Sequence, residues 1–263
     1  WCKASASCKE KCSTASPIPA RRFGRRAGDG TGTGAGNITG LLGAVFLIGT
    51  IIVGAIIASA ASNQNRDASV RSTEVVGALL ASYERRLGPS VADYAWWDDA
   101  VRYLALTPDA AWANENIGAS FNQSFGVELA FVLDSEDRMT MRFADGAPTF
   151  LTAVDRWVGG MDRIVASARA VPMDKPAPVT GWLSIDGRIH LVAVAALTPF
   201  SDATRWPADQ PRYLLGAARP LDGDLLAEMS EGFGLRDLNV ASQPAAGSNA
   251  LPMIAPDGTK LGY

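Results

Sequence analysis

The stretch GWLSIDGRIHLVAVAAL, residues 181–197, carries the clearest structural signal in the 263-residue chain. Two runs rich in Ile, Leu and Val flank Asp186-Gly187, a dipeptide that favours the tight hairpin whose twist matches that of paired strands. An antiparallel sheet is therefore expected around it. VELAFVLD at 127–134 reads as a buried strand, SEDR as a turn, MTMRF at 139–143 as a second strand and ADGAP as another turn. RYLLGAARPL at 212–221 supplies a further strand. LNV at 238–240 is a candidate strand. APDGTKLGY at 255–263 reads as one more hairpin cut at its middle, as in a C-terminally truncated fragment.

Between the strands the period changes. FLTAVDRWVGGMDRIVASARA at 150–170 has helical spacing through Leu151, Val154, Val158, Met161, Ile164 and Val165, weakened by Gly159-Gly160. DGDLLAEMSEGFGL at 222–235 reads as a short capped helix ending at a glycine. Strands interrupted by helices make the fold class α+β, with an antiparallel sheet of about five strands.

Upstream lies ITGLLGAVFLIGTIIVGAIIASAA at 38–61, 24 residues without a charge. As a helix it would reach roughly 36 Å, enough to cross a hydrocarbon layer of about 30 Å. A buried core helix rarely stays apolar on every face for so long. Ala58-Ser59-Ala60 resembles a signal-peptidase site, but signal cores run to only about 7–15 residues. The reading is an uncleaved transmembrane anchor.

Charge sets its expected direction. Seven Lys and Arg precede the run against Glu10 and Asp29, a net of +5, whereas the remainder carries −8. Lys and Arg near a span favour retention on the cytoplasmic side. Residues 1–37 are expected to be a disordered cytoplasmic leader, and everything after Ala61 to lie outside the inner membrane, in the periplasm. Cys2, Cys8 and Cys12 all fall in the leader, and their spacing lacks the paired form and fourth ligand of a zinc site. GDGTGTGAG at 28–36 lacks the following Lys and the strand and helix context of a phosphate-binding loop. Neither a cofactor nor a nucleic-acid partner is expected.

Residues 62–92 read as a stalk helix. Val70, Thr73, Val76 or Gly77, Leu80, Tyr83 or Glu84, and Leu87 recur at three and four residues, a narrow stripe suited to pairing in a homodimer or to packing on the chain's own domain. Gly88-Pro89 is expected to kink or restart the helix. The remaining residues, 93–263, form the exported domain.

Catalytic signatures are missing. No G-x-S-x-G, H-E-x-x-H or S-x-x-K constellation occurs, and the only histidine, His190, reads as a side chain filling one sheet face. Enzymatic activity is left open. The densest chemistry is DYAWWDD at 93–99. On a continuous helix Asp93 would share a face with Trp96, Trp97, Ala100 and Leu104, while Asp98, Asp99 and Arg102 would lie opposite, with Asp98 and Arg102 able to pair. Asp93 with the Trp rings would line a small pocket suited to a cationic or polar ligand, or Asp93 would be satisfied by a backbone N–H or an Arg. TPDAAWANENIGASF follows at 107–121, and its Trp112, Asn114 and Asn116 could return to the same site, or serve as core and helix caps.

Taken in order, the membrane run, the stalk, D-Y-A-x-W-D-D, the Trp-Ala-Asn-Glu-Asn segment, VELAFVLD with its acidic turn, and GAARPLDGDLLAEMSEGFGL resemble the CHASE4 extracellular sensory domain. The resemblance spans roughly residues 60–263. It implies a PAS-like (Cache-like) fold, an unidentified small-molecule ligand, and a membrane-bound bacterial receptor. The output domain it implies is a diguanylate cyclase, a cyclic-di-GMP phosphodiesterase or a histidine kinase. No second span or output domain is present in the sequence. The competing expectation is an exported enzyme or an adhesion module on a single membrane helix.

Overall fold

The computed structural model describes residues 35–149, 156–201, 204–207, 210–235, 238–245 and 248–263. The chain divides into two compact units, 1–60 and 61–263. Helix α1 (Ala35–Ala95) is 61 residues long and contributes to both. In the first unit, Leu41, Phe46, Ile51 and Ile57 are all more than half exposed. They belong to Gly40–Gln64, a stretch of mean hydropathy 2.7 that is long and apolar enough to cross a membrane and has no buried part. An unpartnered helix that is apolar on every face fits a lipid solvent.

In the second unit α1 passes through Gly88-Pro89 without the expected restart. Proline removes one hydrogen bond to the Arg85 carbonyl, and packing holds the segment. A Cβ on Gly88 would lie 2.9 Å from Thr180 Cγ2, so the helix sits directly on the sheet there. The Ser90 hydroxyl donates to the Arg86 carbonyl at 2.9 Å.

The sheet has seven strands: β1 (Leu129–Leu133), β2 (Met139–Ala144), β3 (Ala147–Pro148), β4 (Trp157–Val158), β5 (Val179–Ile185), β6 (Arg188–Ala196) and β7 (Leu214–Pro220). Their order is β3-β2-β1-β7-β6-β5-β4, with every neighbouring pair antiparallel. The expected count of about five is thus corrected. The five long strands are those read from the sequence, and the other two are two-residue edge pieces too short to show alternation. The quoted hairpin forms as expected: Ile185 pairs with Arg188 across Asp186 and Gly187, whose φ values are 51° and 83°.

Other expectations changed. Of the described residues 156–170, Met161–Ala170 are helical (α5), because Gly159 and Gly160, at φ 115° and 90°, break the chain after β4. Residues 150–155 lie outside the described ones. LNV at 238–240 forms no strand. The final hairpin pairs β8 (Met253–Ile254) with β9 (Lys260–Gly262). Helix α6 (Gly223–Phe233) is capped as expected, its Asp222 carboxylate accepting the Leu225 N–H at 2.9 Å, and it ends at Gly234.

Both sheet faces are covered. On one, Leu79, Tyr83, Leu87 and Val91 of α1 repeat every four residues and bury against Val132, Leu191, Ala193 and Leu215. Half of the expected stalk stripe, Leu80, Tyr83 and Leu87 of its six positions, therefore packs into the chain's own core. On the other face Ile164, Val165 and Ala168 of α5 pack on Phe131, Leu183, Val192 and Val194. Each such aliphatic or aromatic side chain contributes about 1.5–3 kcal/mol of burial. Phe131 fits because its register partner is Gly216, where a Cβ would lie 2.1 Å from the ring.

Candidate functional site

The DYAWWDD segment is where α1 ends and the chain turns. The helix stops at Ala95, Trp97 is extended at φ −77° and ψ 135°, and helix α2 (Asp98–Val101) restarts beyond it, running into a π-helical turn at Arg102–Leu106. The continuous-helix assignment of faces is corrected by this break. Asp93 is solvent-exposed rather than set among the buried aromatics. Asp98 turns inward instead.

The Asp98 carboxylate accepts the N–H groups of Phe200 (2.9 Å) and Ser201 (3.2 Å) and the Ser201 hydroxyl (2.5 Å). The Ser201 hydroxyl bond is the largest influence on the carboxyl; burial opposes it, and with the two amides and the nearby Arg102 charge the balance holds the carboxyl below the ordinary 3.8. One residue pair earlier, the Thr198 N–H donates to the last helical carbonyl, Ala95 O, at 3.0 Å. The loop after β6 is thus tied to the junction of α1 and α2 by four hydrogen bonds, three to Asp98 and one to Ala95. Arg102, expected to pair with Asp98, meets Asp99 at 3.4 Å on the surface.

Aromatic packing fixes the rest of the segment. The Tyr94 ring stacks on Trp97 (centroids 4.5 Å apart) and meets Phe121 edge-on, while its hydroxyl shares a 2.7 Å hydrogen bond with Ser120. Outside this packing a cleft of about 500 Å³ opens, lined by Asp93, Trp96, Trp97, Asp98, Asp99 and Phe200. Trp97 is 43% exposed and Phe200 87%, unusual for such large apolar groups. Carboxylates beside accessible aromatic faces suit an organic cation. Among the described residues no three acidic, His or Cys side chains converge as a metal would require.

Trp112, Asn114 and Asn116 stand apart from that cleft. Asp109 caps helix α3 (Ala110–Ala113), which continues through π-helical residues Asn114–Ala119 into α4 (Ser120–Phe125). There the Trp112 ring lies 5.2 Å from that of Tyr103, and the Asn116 amide donates to the Trp112 carbonyl at 2.9 Å. The Asn114 side-chain carbonyl and the Trp96 indole N–H are both buried without a hydrogen-bond partner among the described residues. His190 fills a sheet face as expected, 1% exposed, its Nδ1 3.0 Å from the Arg188 carbonyl and its Nε2 3.5 Å from Glu128.

Sequence reasoning missed the polar chain that starts at Thr198. The Thr198 hydroxyl accepts from Arg212 Nη1 at 2.8 Å, and Arg212 also donates to the Val171 carbonyl at the end of α5. Burial pushes the Arg212 guanidinium below its ordinary value. The Arg212 carbonyl accepts from Arg169 Nη1 at 2.6 Å, and Arg169 in turn grips the Asp134 carbonyl and the Asp137 carboxylate. Helix ends on opposite faces of the sheet are joined by this one chain of bonds. Its members are scattered over more than 100 positions, so no local motif announces them.

The family model for the CHASE4 domain matches residues 79–240. No curated protein matches the chain.

Proposed function

The chain belongs to the CHASE4 family of extracellular sensory domains of bacterial signalling proteins, and from that premise we propose that it is the signal-sensing region of a transmembrane receptor. The observation that carries the proposal is the position of the matched segment, 79–240, directly after the apolar stretch Gly40–Gln64. The basic leader at 1–37 is the cytoplasmic side and the sheet domain the periplasmic side. The five long strands, in the order β2-β1-β7-β6-β5, support the PAS-like (Cache-like) assignment. A homodimer forms through the part of the stalk not consumed by the core, where Val70 and Val75 are exposed.

In this reading a small cationic or polar ligand enters the cleft at Asp93, Trp96 and Trp97. The end of α1 and the loop tied to it by Asp98 are its mobile parts. A ligand with different affinity for two arrangements of that junction shifts their populations and regulates cyclic-di-GMP synthesis or hydrolysis inside the cell. Trp112, Asn114 and Asn116 belong to the supporting wall behind Tyr103.

Two measurements test this. Alkaline phosphatase fused after Tyr263 is expected to be active in cells, and fused after Asp29 inactive; the reverse pattern would overturn the orientation. In the intact receptor, Asp93→Asn and Trp97→Ala are expected to abolish the response of cellular cyclic-di-GMP to ligand. A folded double variant that still responds refutes the cleft.

A further inference from the structure

A second cavity, of about 490 Å³, lies on the opposite sheet face beside α5. Its lining includes Asp137, Met139, Trp157, Met161, Asp162 and Val165, with Arg169 at one end. We propose that it binds a small organic monocation with an apolar body, such as a protonated arylalkylamine. The site goes beyond the cleft at the end of α1 and shares no lining residue with it.

Charge decides the sign of the ligand. Arg169 is the one cation lining the cavity among the described residues, and four of its five N–H donors are committed: Nε and Nη2 to Asp137 Oδ1, Nη1 to the Arg212 carbonyl and Nη2 to the Asp134 carbonyl. An incoming anion meets a guanidinium already turned to the Asp137 carboxylate, with a single Nη1 N–H left over. Asp162 makes no hydrogen bond or ion pair among the described residues, and both contacts from Arg169 to the Asp137 carboxylate use the same oxygen, Oδ1, leaving Oδ2 available. Two carboxylates against one engaged guanidinium leave a net charge of −1 over the cavity. A single positive charge completes it.

The apolar lining decides the body. Trp157 is half-buried and held by an edge-to-face contact with Phe131, 5.6 Å between centroids. Met139 and Met161 flank it with polarisable thioethers, and Val165 forms the floor. The Gly159-Gly160 turn, at left-handed φ, is what brings Met161 and Asp162 back beside the Trp157 ring. A first-turn position on α5 accounts for an acid at 162, but not for an accessible indole and two methionines facing the same space. Rings and thioethers beside carboxylates recognise ammonium groups that carry hydrophobic tails.

For a sensor this location has a consequence. The cavity is walled by α5 and the turn at 134–138, the two segments Arg169 joins, and Arg169 continues through Arg212 and Thr198 to the carbonyl of Ala95. Occupancy therefore bears on the end of α1 from the far side of the sheet.

The test is isothermal titration of the full chain in detergent with phenethylamine, its neutral isostere 2-phenylethanol and the anion 3-phenylpropionate. Phenethylamine is expected to bind at least tenfold more tightly than either analogue. Asp162→Asn, a surface change that leaves the fold intact, is expected to weaken it at least tenfold, whereas Glu231→Gln, at an exposed position of α6 away from both cavities, leaves it unchanged. Trp157→Phe, which keeps an aromatic wall, is expected to weaken it severalfold. Equal binding of the neutral or anionic analogue, no phenethylamine binding below about 10 mM, or indifference to Asp162→Asn each overturns the proposal. Because binding is read on isolated protein, its failure is separable from failure of the receptor reading, which is scored by topology and cellular output.

Discussion

Asp98→Ala separates the two assignments of the acidic segment. In the folded chain the Asp98 carboxylate satisfies two amides and a hydroxyl of the loop at 200–201. Hydrogen bonds to a charged acceptor contribute about 1.5–3 kcal/mol each when fully sheltered. Here the Phe200 amide is exposed and water replaces part of the loss, so the whole cluster is worth roughly 1–2 kcal/mol. For about 200 folded residues that lowers the melting temperature by roughly 2–8 °C. Asp98→Asn keeps one acceptor oxygen and loses the charge, so its deficit is about 1 kcal/mol. Asp93→Asn, at an exposed site, is expected to stay within about 0.5 kcal/mol. The assay is thermal unfolding followed by tryptophan fluorescence between pH 7 and pH 3. Because the folded carboxyl ionises below its ordinary 3.8, its stabilisation is fully present above that value and fades as pH falls through the folded value. The gap between wild type and Asp98→Asn should therefore hold from pH 7 to about 5 and close on further acidification. A larger effect at Asp93 than at Asp98, or a gap unchanged down to pH 3, would refute the reasoning.

Three further outcomes follow from the packing. Gly216→Ala forces a methyl into the Phe131 ring at 2.1 Å and is expected to cost about 3 kcal/mol or prevent folding, whereas Gly216→Ala combined with Phe131→Leu recovers much of it in the same melting assay. Trp182→Phe removes the 2.6 Å bond from its indole N–H to Glu84 of α1 and should destabilise by about 1–2 kcal/mol, with Glu84→Ala showing little additional loss on that background. Arg212→Met breaks the link between Thr198 and Val171; hydrogen exchange at 195–201 should accelerate at least tenfold while α1 protection upstream of Leu87 is unchanged, and uniform acceleration across the domain would count against a discrete relay.

The hairpin at 181–197 was legible because its information is local. Continuous apolar runs suited to a strand covered on both faces, and the positive φ demanded at Asp186 and Gly187, are properties of adjacent residues. The strands at 127–134, 139–143 and 212–221, the cap at Asp222 and the apolar stretch near 38–61 were legible for the same reason. The edge strands β3 and β4 were not, since two residues carry no period. Asp93, Trp96 and Trp97 were found together as a group, but the face each acid presents was misread. Periodicity assumes that a helix continues, and the chain breaks at Trp96-Trp97 so that Asp98 can reach a loop more than 100 residues away.

By itself the sequence determined the five long strands, helix α6 and the long apolar stretch, because those choices rest on neighbouring side chains and the backbone they permit. Tertiary structure alone decided which carboxylates are engaged and which remain available. Asp98 and Asp137 are engaged by donors distant in sequence, whereas no such donor among the described residues engages Asp93 or Asp162. A carboxylate's role depends on the donors that converge on it in space, and sheet order β2-β1-β7-β6-β5 sets that convergence.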